Sequence, residues 1–256
     1  MRILSQDTRY TFLKIEITFS CKDEYIMAMF RSASSFNGPL GLGLVDQTTE
    51  MPPNSMYHTV ASSLDLNQNL PTVTDPHAPL DVHILLDETG SMASLGNEPN
   101  EAVSSFIKIQ REGGIPVRIS LTKFHLHIIP VFSDLPLDHP DCKMTSYHPS
   151  SMTAAYDALR YIILSSTKPL AVVYITDGQD NSSRTTSREI KYLIKRAQDC
   201  GWTFDFIGCN MESMVESERM GMPSSQPMHD GPPMTLPQMM RGASDNVVSM
   251  NRERIA

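Results

Sequence analysis

From about residue 80 the chain alternates short apolar runs with amphipathic stretches. Val82, Ile84, Leu85 and Leu86 form a strand-length run that ends in Asp87. Val103, Phe106 and Ile107, with Gln110 beside them, fall on one helical face, and Gly113-Gly114 stops that helix. Val117, Ile119 and Leu121 alternate with Arg118 and Ser120, the period of a half-buried strand. Ile128, Ile129 and Val131 make another strand. Pro130 within it lacks a backbone N–H, which suits the edge of a sheet. Ala155, Leu159, Ile162 and Ile163 mark the buried side of a helix starting near Thr153. Leu170-Ala171-Val172-Val173-Tyr174-Ile175 is apolar throughout, as in a strand covered on both faces. Thr186 and Glu189 have capping-box spacing; the helix they open turns Ile190, Leu193, Ile194 and Ala197 inward and closes at Gly201. Residues 203–207 are a further strand. Strands alternating with helices predict an α/β fold: a doubly wound, mostly parallel sheet with helices on both faces, over residues 80–256.

The chain before residue 80 has a different texture. Residues 32–79 are rich in Pro, Ser, Thr and Asn and show little apolar periodicity. Residues 1–79 are therefore expected to form a largely irregular extension, with a hairpin from residues 10–19 and 25–30 as its one regular candidate. Late in the chain, residues 224–237 read as a Pro- and Met-rich loop before a closing helix over 237–254. The methionines concentrated there read as core filling.

Charge and cysteine spacing narrow the function. A net charge of −8 argues against nucleic acid as a partner, because an acidic surface repels phosphate backbones. No apolar run approaches the roughly 18 residues that cross a bilayer, so no membrane span is expected. Cys21, Cys142, Cys200 and Cys209 lie far apart without a C-x-x-C pair, which disfavours a disulfide scaffold or zinc ribbon. Free thiols and a start without a secretory pattern point to the cytoplasm.

The candidate chemistry lies in three loops. Asp87-Glu88-Thr89-Gly90-Ser91 follows the first strand, Ser150-Ser151-Met152-Thr153 precedes a helix, and Thr176-Asp177-Gly178 follows the continuous apolar strand. Ligands of open parallel sheets bind outside the carboxyl ends of the strands, where the strand order reverses. The order 3-2-1-4-5-6 would set Asp87 and Asp177 on neighbouring strands. Asp87, Thr89, Ser91, Thr153 and Asp177 offer oxygen only, which favours Mg²⁺, with Mn²⁺ or Ca²⁺ as substitutes. Two carboxylates neutralise the ion and the hydroxyls add no charge, so it would keep its attraction for an outside carboxylate.

At these residues the sequence resembles the von Willebrand factor type A family with its metal-ion-dependent adhesion site. Asp87-Glu88-Thr89-Gly90-Ser91 matches the family's D-x-S-x-S, with Thr89 in place of a serine. Met152-Thr153-Ala154-Ala155-Tyr156-Asp157-Ala158-Leu159 matches its threonine motif, with Ser151 where glycine is usual. Tyr174-Ile175-Thr176-Asp177-Gly178 matches the strand that ends in T-D-G. The match spans roughly residues 80–210. It implies a Rossmann-like fold and a module that binds an acidic group of a partner protein through Mg²⁺.

Two other readings compete. One is a Mg²⁺-dependent phosphotransferase or phosphatase of haloacid-dehalogenase type, which needs a second acid two residues after Asp87. Thr89 stands there and cannot act as that acid or base, so no catalytic residue is assigned and the chain is read as no enzyme. The other is a degenerate type A scaffold. Among the remaining features, His125 and His127 read as surface histidines at a strand turn, and residues 138–142 as a solvated loop. Residues 180–183 read as a turn, and Glu88 as a solvent-facing or capping residue.

Overall fold

The computed structural model describes residues 65–72, 75, 78–114, 116–144, 146–222 and 234–255, the last five through their backbone alone. The hairpin expected within residues 10–30 and most of the loop over 224–237 lie outside them. The described residues belong to one compact unit, Glu50–Ala256.

Five strands form one sheet: β1 (Leu80–Asp87), β2 (Val117–Phe124), β3 (Ile128–Pro136), β4 (Ala171–Thr176) and β5 (Thr203–Gly208). Their spatial order is β3-β2-β1-β4-β5. β1 is parallel to β2 and β4, and β4 is parallel to β5. β3 runs antiparallel at one edge, with register irregularities against β2. Pro130 thus sits where an unpaired backbone position costs nothing. Among the described residues the order stops at five strands, without the sixth of the expected pattern.

The helices are α1 (Glu98–Glu112), α2 (Ala155–Ser165), α3 (Ser187–Asp199), α4 (Met211–Met220) and α5 (Leu236–Ile255). Alternate residues of each strand point to opposite faces, so the sheet divides the core in two. On one face Leu85, Val172, Tyr174 and Phe206 pack with α2, α3 and Met220 of α4. On the other, Val82, Ile84, Leu86 and Val173 pack with α1 and with Leu236, Met240 and Val247 of α5. All six residues of β4 are buried, as a strand covered on both sides requires.

The helix boundaries have local causes. The Thr186–Glu189 capping box forms at the start of α3. α1 ends at Gly113, whose N–H donates to the Ile109 carbonyl. The segment 65–72 has no helix or strand, yet Leu70 is buried in the first core. Trp202 Nε1 donates to the Pro71 carbonyl, and Arg196 donates to the carbonyls of Leu66 and Gln68. The end of the expected extension is therefore fastened to the sheet domain.

Candidate metal centre

β1 and β4 lie side by side with Leu86 opposite Ile175, so both strands deliver their final oxygen-bearing residues to one place. Asp87 is fully buried. Its Oδ1 accepts from the Thr89 N–H at 2.8 Å and its Oδ2 from Thr176 Oγ1 at 2.6 Å. Thr89 Oγ1 and Ser91 Oγ are 3.2 Å apart, and Ser91 Oγ donates to Asp177 Oδ1 at 2.7 Å. Thr89, Ser91 and Asp177 are thus joined side chain by side chain, and Asp87 joins them through the Thr89 N–H.

Thr153 is tied through its backbone to residues 181–182 of the loop that follows Asp177. Its N–H donates to Asn181 Oδ1 at 2.9 Å, and its carbonyl accepts from the N–H groups of Asn181 and Ser182. The chain before it is tied to the first loop: Ser150 N donates to the Glu88 carbonyl at 2.9 Å, and Gly90 N to the Ser151 carbonyl at 3.1 Å. Ser151 adopts φ 72°, a left-handed conformation that favours glycine.

Burial pushes the Asp87 carboxyl up to about 6, with the bonds from Thr176 and Thr89 opposing the rise and Asp177 adding to it. Burial also raises Asp177, against the bond from Ser91. Two carboxylates therefore share a desolvated spot and receive only neutral donors. The carboxylates keep lone pairs beyond those used, and Ser91, having donated its proton, keeps its acceptor capacity outward. An all-oxygen set of net charge −2 fits a hard divalent cation. Among the described residues no three His, Cys, Asp or Glu side chains group as metal ligands. The five-residue set has two carboxylates and relies on hydroxyls for the rest.

Sequence reasoning missed several residues that shape this place. Glu88 faces neither solvent nor a helix end: its side chain is 5% exposed and takes Lys123 Nζ at 2.7 Å. That reading is corrected, and its physical reason lies in β2. Lys123 continues the alternation of Val117, Ile119 and Leu121, so it points into the protein and needs an acid there. Tyr147 OH donates to the Asp87 carbonyl at 2.7 Å. Asn210 Nδ2 donates to the Asp177 carbonyl. Asp180, within the expected turn, also accepts from the Tyr156 N–H at the start of α2. His125 and His127 occupy the β2–β3 turn, where the His127 N–H donates to His125 Nδ1 at 3.0 Å.

No protein-family model matches the chain, and no curated protein matches it. Solved structures do. Proximal thread matrix protein 1 from the mussel byssus aligns at a TM-score of 0.50 and 16% identity, over 70% of this chain and 48% of that one. A von Willebrand factor type A protein from Catenulispora acidiphila aligns at 0.50 and 17% identity, over 65% of this chain and 42% of that one. The chain spans less than half the length of either. Its fold is that of the von Willebrand factor type A domain. No described helix is long and apolar enough to cross a membrane.

Proposed function

We propose that on this type A fold Asp87, Thr89, Ser91, Thr153 and Asp177 hold Mg²⁺, and that an acidic group of a partner protein binds there. The observation that carries the reading is Asp87: a fully buried carboxylate beside a second one, given hydroxyl and amide donors and, among the described residues, no cation. A bound divalent ion supplies the missing positive charge and an electrophilic centre for an outside carboxylate. The chain's own groups do the rest. Asp87 and Asp177 bring charge −2, the hydroxyls bring oxygen without charge, Thr176 holds Asp87 Oδ2, and Asn181 holds the Thr153 backbone. Mn²⁺ or Ca²⁺ suits the same donors.

The reading is of a binding module rather than an enzyme. A phosphatase of haloacid-dehalogenase type needs an acid two residues after Asp87, where Thr89 stands, and the adjacent Glu88 is engaged by Lys123 and by the His148 N–H. The cytoplasmic placement expected from the cysteines gains no support from the comparisons.

Isothermal titration of the metal-free chain with Mg²⁺ tests the site. Binding at one ion per chain, lost in both Asp87→Ala and Asp177→Ala, is the expected result. Affinity unchanged in both variants contradicts it. Affinity capture with and without chelator tests the partner half, followed by Asp→Asn and Glu→Gln scanning of the captured protein. Capture that survives the chelator contradicts that half. Mg²⁺ binding with no chelator-sensitive partner points to the degenerate scaffold.

A further inference from the structure

We propose that Glu88 and Lys123, which donate nothing to the five-oxygen set, are positioning residues that set how tightly it binds Mg²⁺. The inference rests on the metal reading above and adds the device that aligns two of its three loops.

The segment 146–151, which leads into Thr153, is fastened to the first loop along most of its length. Lys123 Nζ donates to the Ser146 carbonyl at 2.7 Å and to Glu88 Oε1 at 2.7 Å. Tyr147 OH donates to the Asp87 carbonyl, and the His148 N–H donates to Glu88 Oε1, each at 2.7 Å. The backbone bonds of Ser150 to Glu88 and of Gly90 to Ser151 complete the row. The Glu88–Lys123 pair therefore holds two of the segment's backbone groups, one through each partner.

Stability alone does not account for the pair. A buried ion pair gains little over an apolar pair of similar volume, because desolvating both charges offsets their attraction. An apolar pair would fill the space but could bind neither the Ser146 carbonyl nor the His148 N–H. What the charges add is register: the segment can sit against Asp87–Ser91 in one alignment, and that alignment fixes where Thr153 begins. Lys123 also neutralises a third carboxylate next to Asp87, so the pocket presents two negative charges.

The experiment separates positioning from folding. In Glu88→Leu/Lys123→Met the volume stays and both fastenings go. Its metal-free thermal midpoint is expected near that of the wild type. Its Mg²⁺ affinity by titration is expected to fall by on the order of tenfold or more. Glu88→Gln/Lys123→Met keeps an acceptor for the His148 N–H and is expected to recover part of that loss. Wild-type Mg²⁺ affinity in the apolar double variant overturns the proposal, as does a loss that only mirrors a fallen midpoint. If the apolar variant fails to fold, Tyr147→Phe removes one fastening without touching a charge, with an expected loss of about threefold. Unchanged affinity there overturns the proposal too. Absence of Mg²⁺ binding in the wild type sinks the metal reading itself. Failure confined to the variants sinks only this one.

Discussion

The loop after β1 has two sides, and neighbouring carboxylates on them are treated oppositely. Glu88 points toward β2 and meets Lys123, a cation the chain itself provides. Asp87 points toward β4 and meets hydroxyl and amide donors, with the Asp177 carboxylate close by. Both are buried, at 3% and 0% exposure, so desolvation penalises both charges. On one side that penalty is offset within the fold. On the other it is left standing, and a pocket with two carboxylates and spare lone pairs is the result. The difference teaches that the negative charge at Asp87 is arranged for a cation from outside.

Removing the resident cation should erase the contrast and give the largest effect. Lys123→Met leaves Glu88 buried without a counter-charge and should cost about 3–5 kcal/mol in urea unfolding. A cost below about 1 kcal/mol would mean that the pair is not desolvated as the structure shows it.

The Asp87 side should respond to pH instead. Its carboxyl is raised to about 6 in the folded chain from an ordinary 3.8, so the folded state holds that proton more tightly. In chelated protein the penalty is full above pH 6 and is relieved as pH falls through 6 toward 4. The gain is on the order of 3 kcal/mol. Asp87→Asn has no such charge to relieve. Unfolding across this range should therefore show a smaller acid stabilisation in Asp87→Asn, and parallel profiles would contradict the assignment.

A smaller effect concerns the segment between the two sides. Ser151→Gly relieves a left-handed residue while leaving its carbonyl bond to Gly90 intact, and should raise stability by about 1 kcal/mol. A loss of stability would mean that the serine side chain itself contributes there. The smallest effect belongs to the far end of β2. Arg118 and Asp134 make the same kind of pair at 36% and 53% side-chain exposure. Arg118→Ala should cost under about 1 kcal/mol, because solvent screens the attraction. A cost equal to that of Lys123→Met would remove burial as the explanation of the contrast.

The sheet was legible because its strands carry simple burial patterns. β4 is apolar from Ala171 to Ile175, which marked it as covered on both faces, and the expected doubly wound order set Asp87 and Asp177 on neighbouring strands. The capping box at Thr186 and the stop at Gly113 also followed from side-chain chemistry. The departure at Ser151 had a physical counterpart as well, since that residue adopts the conformation glycine adopts freely. The Glu88–Lys123 pair was not read, although β2 carried a signal: Lys123 falls in phase with three buried residues. A charge in that phase demands a buried partner, but the pattern alone does not say which acid supplies it. The fastening of residues 66–71 to Arg196 and Trp202 left no periodic trace, because it uses backbone carbonyls that every residue has.

Paramagnetic broadening by Mn²⁺ in an amide-resolved NMR spectrum tests the central claim most directly. Substoichiometric Mn²⁺ added to metal-free protein should broaden the amides of Thr89, Thr153 and Gly178 first and together, and excess Mg²⁺ should restore them. Broadening at only one of these loops, or centred elsewhere in the sheet domain, would contradict a single ion held by all three.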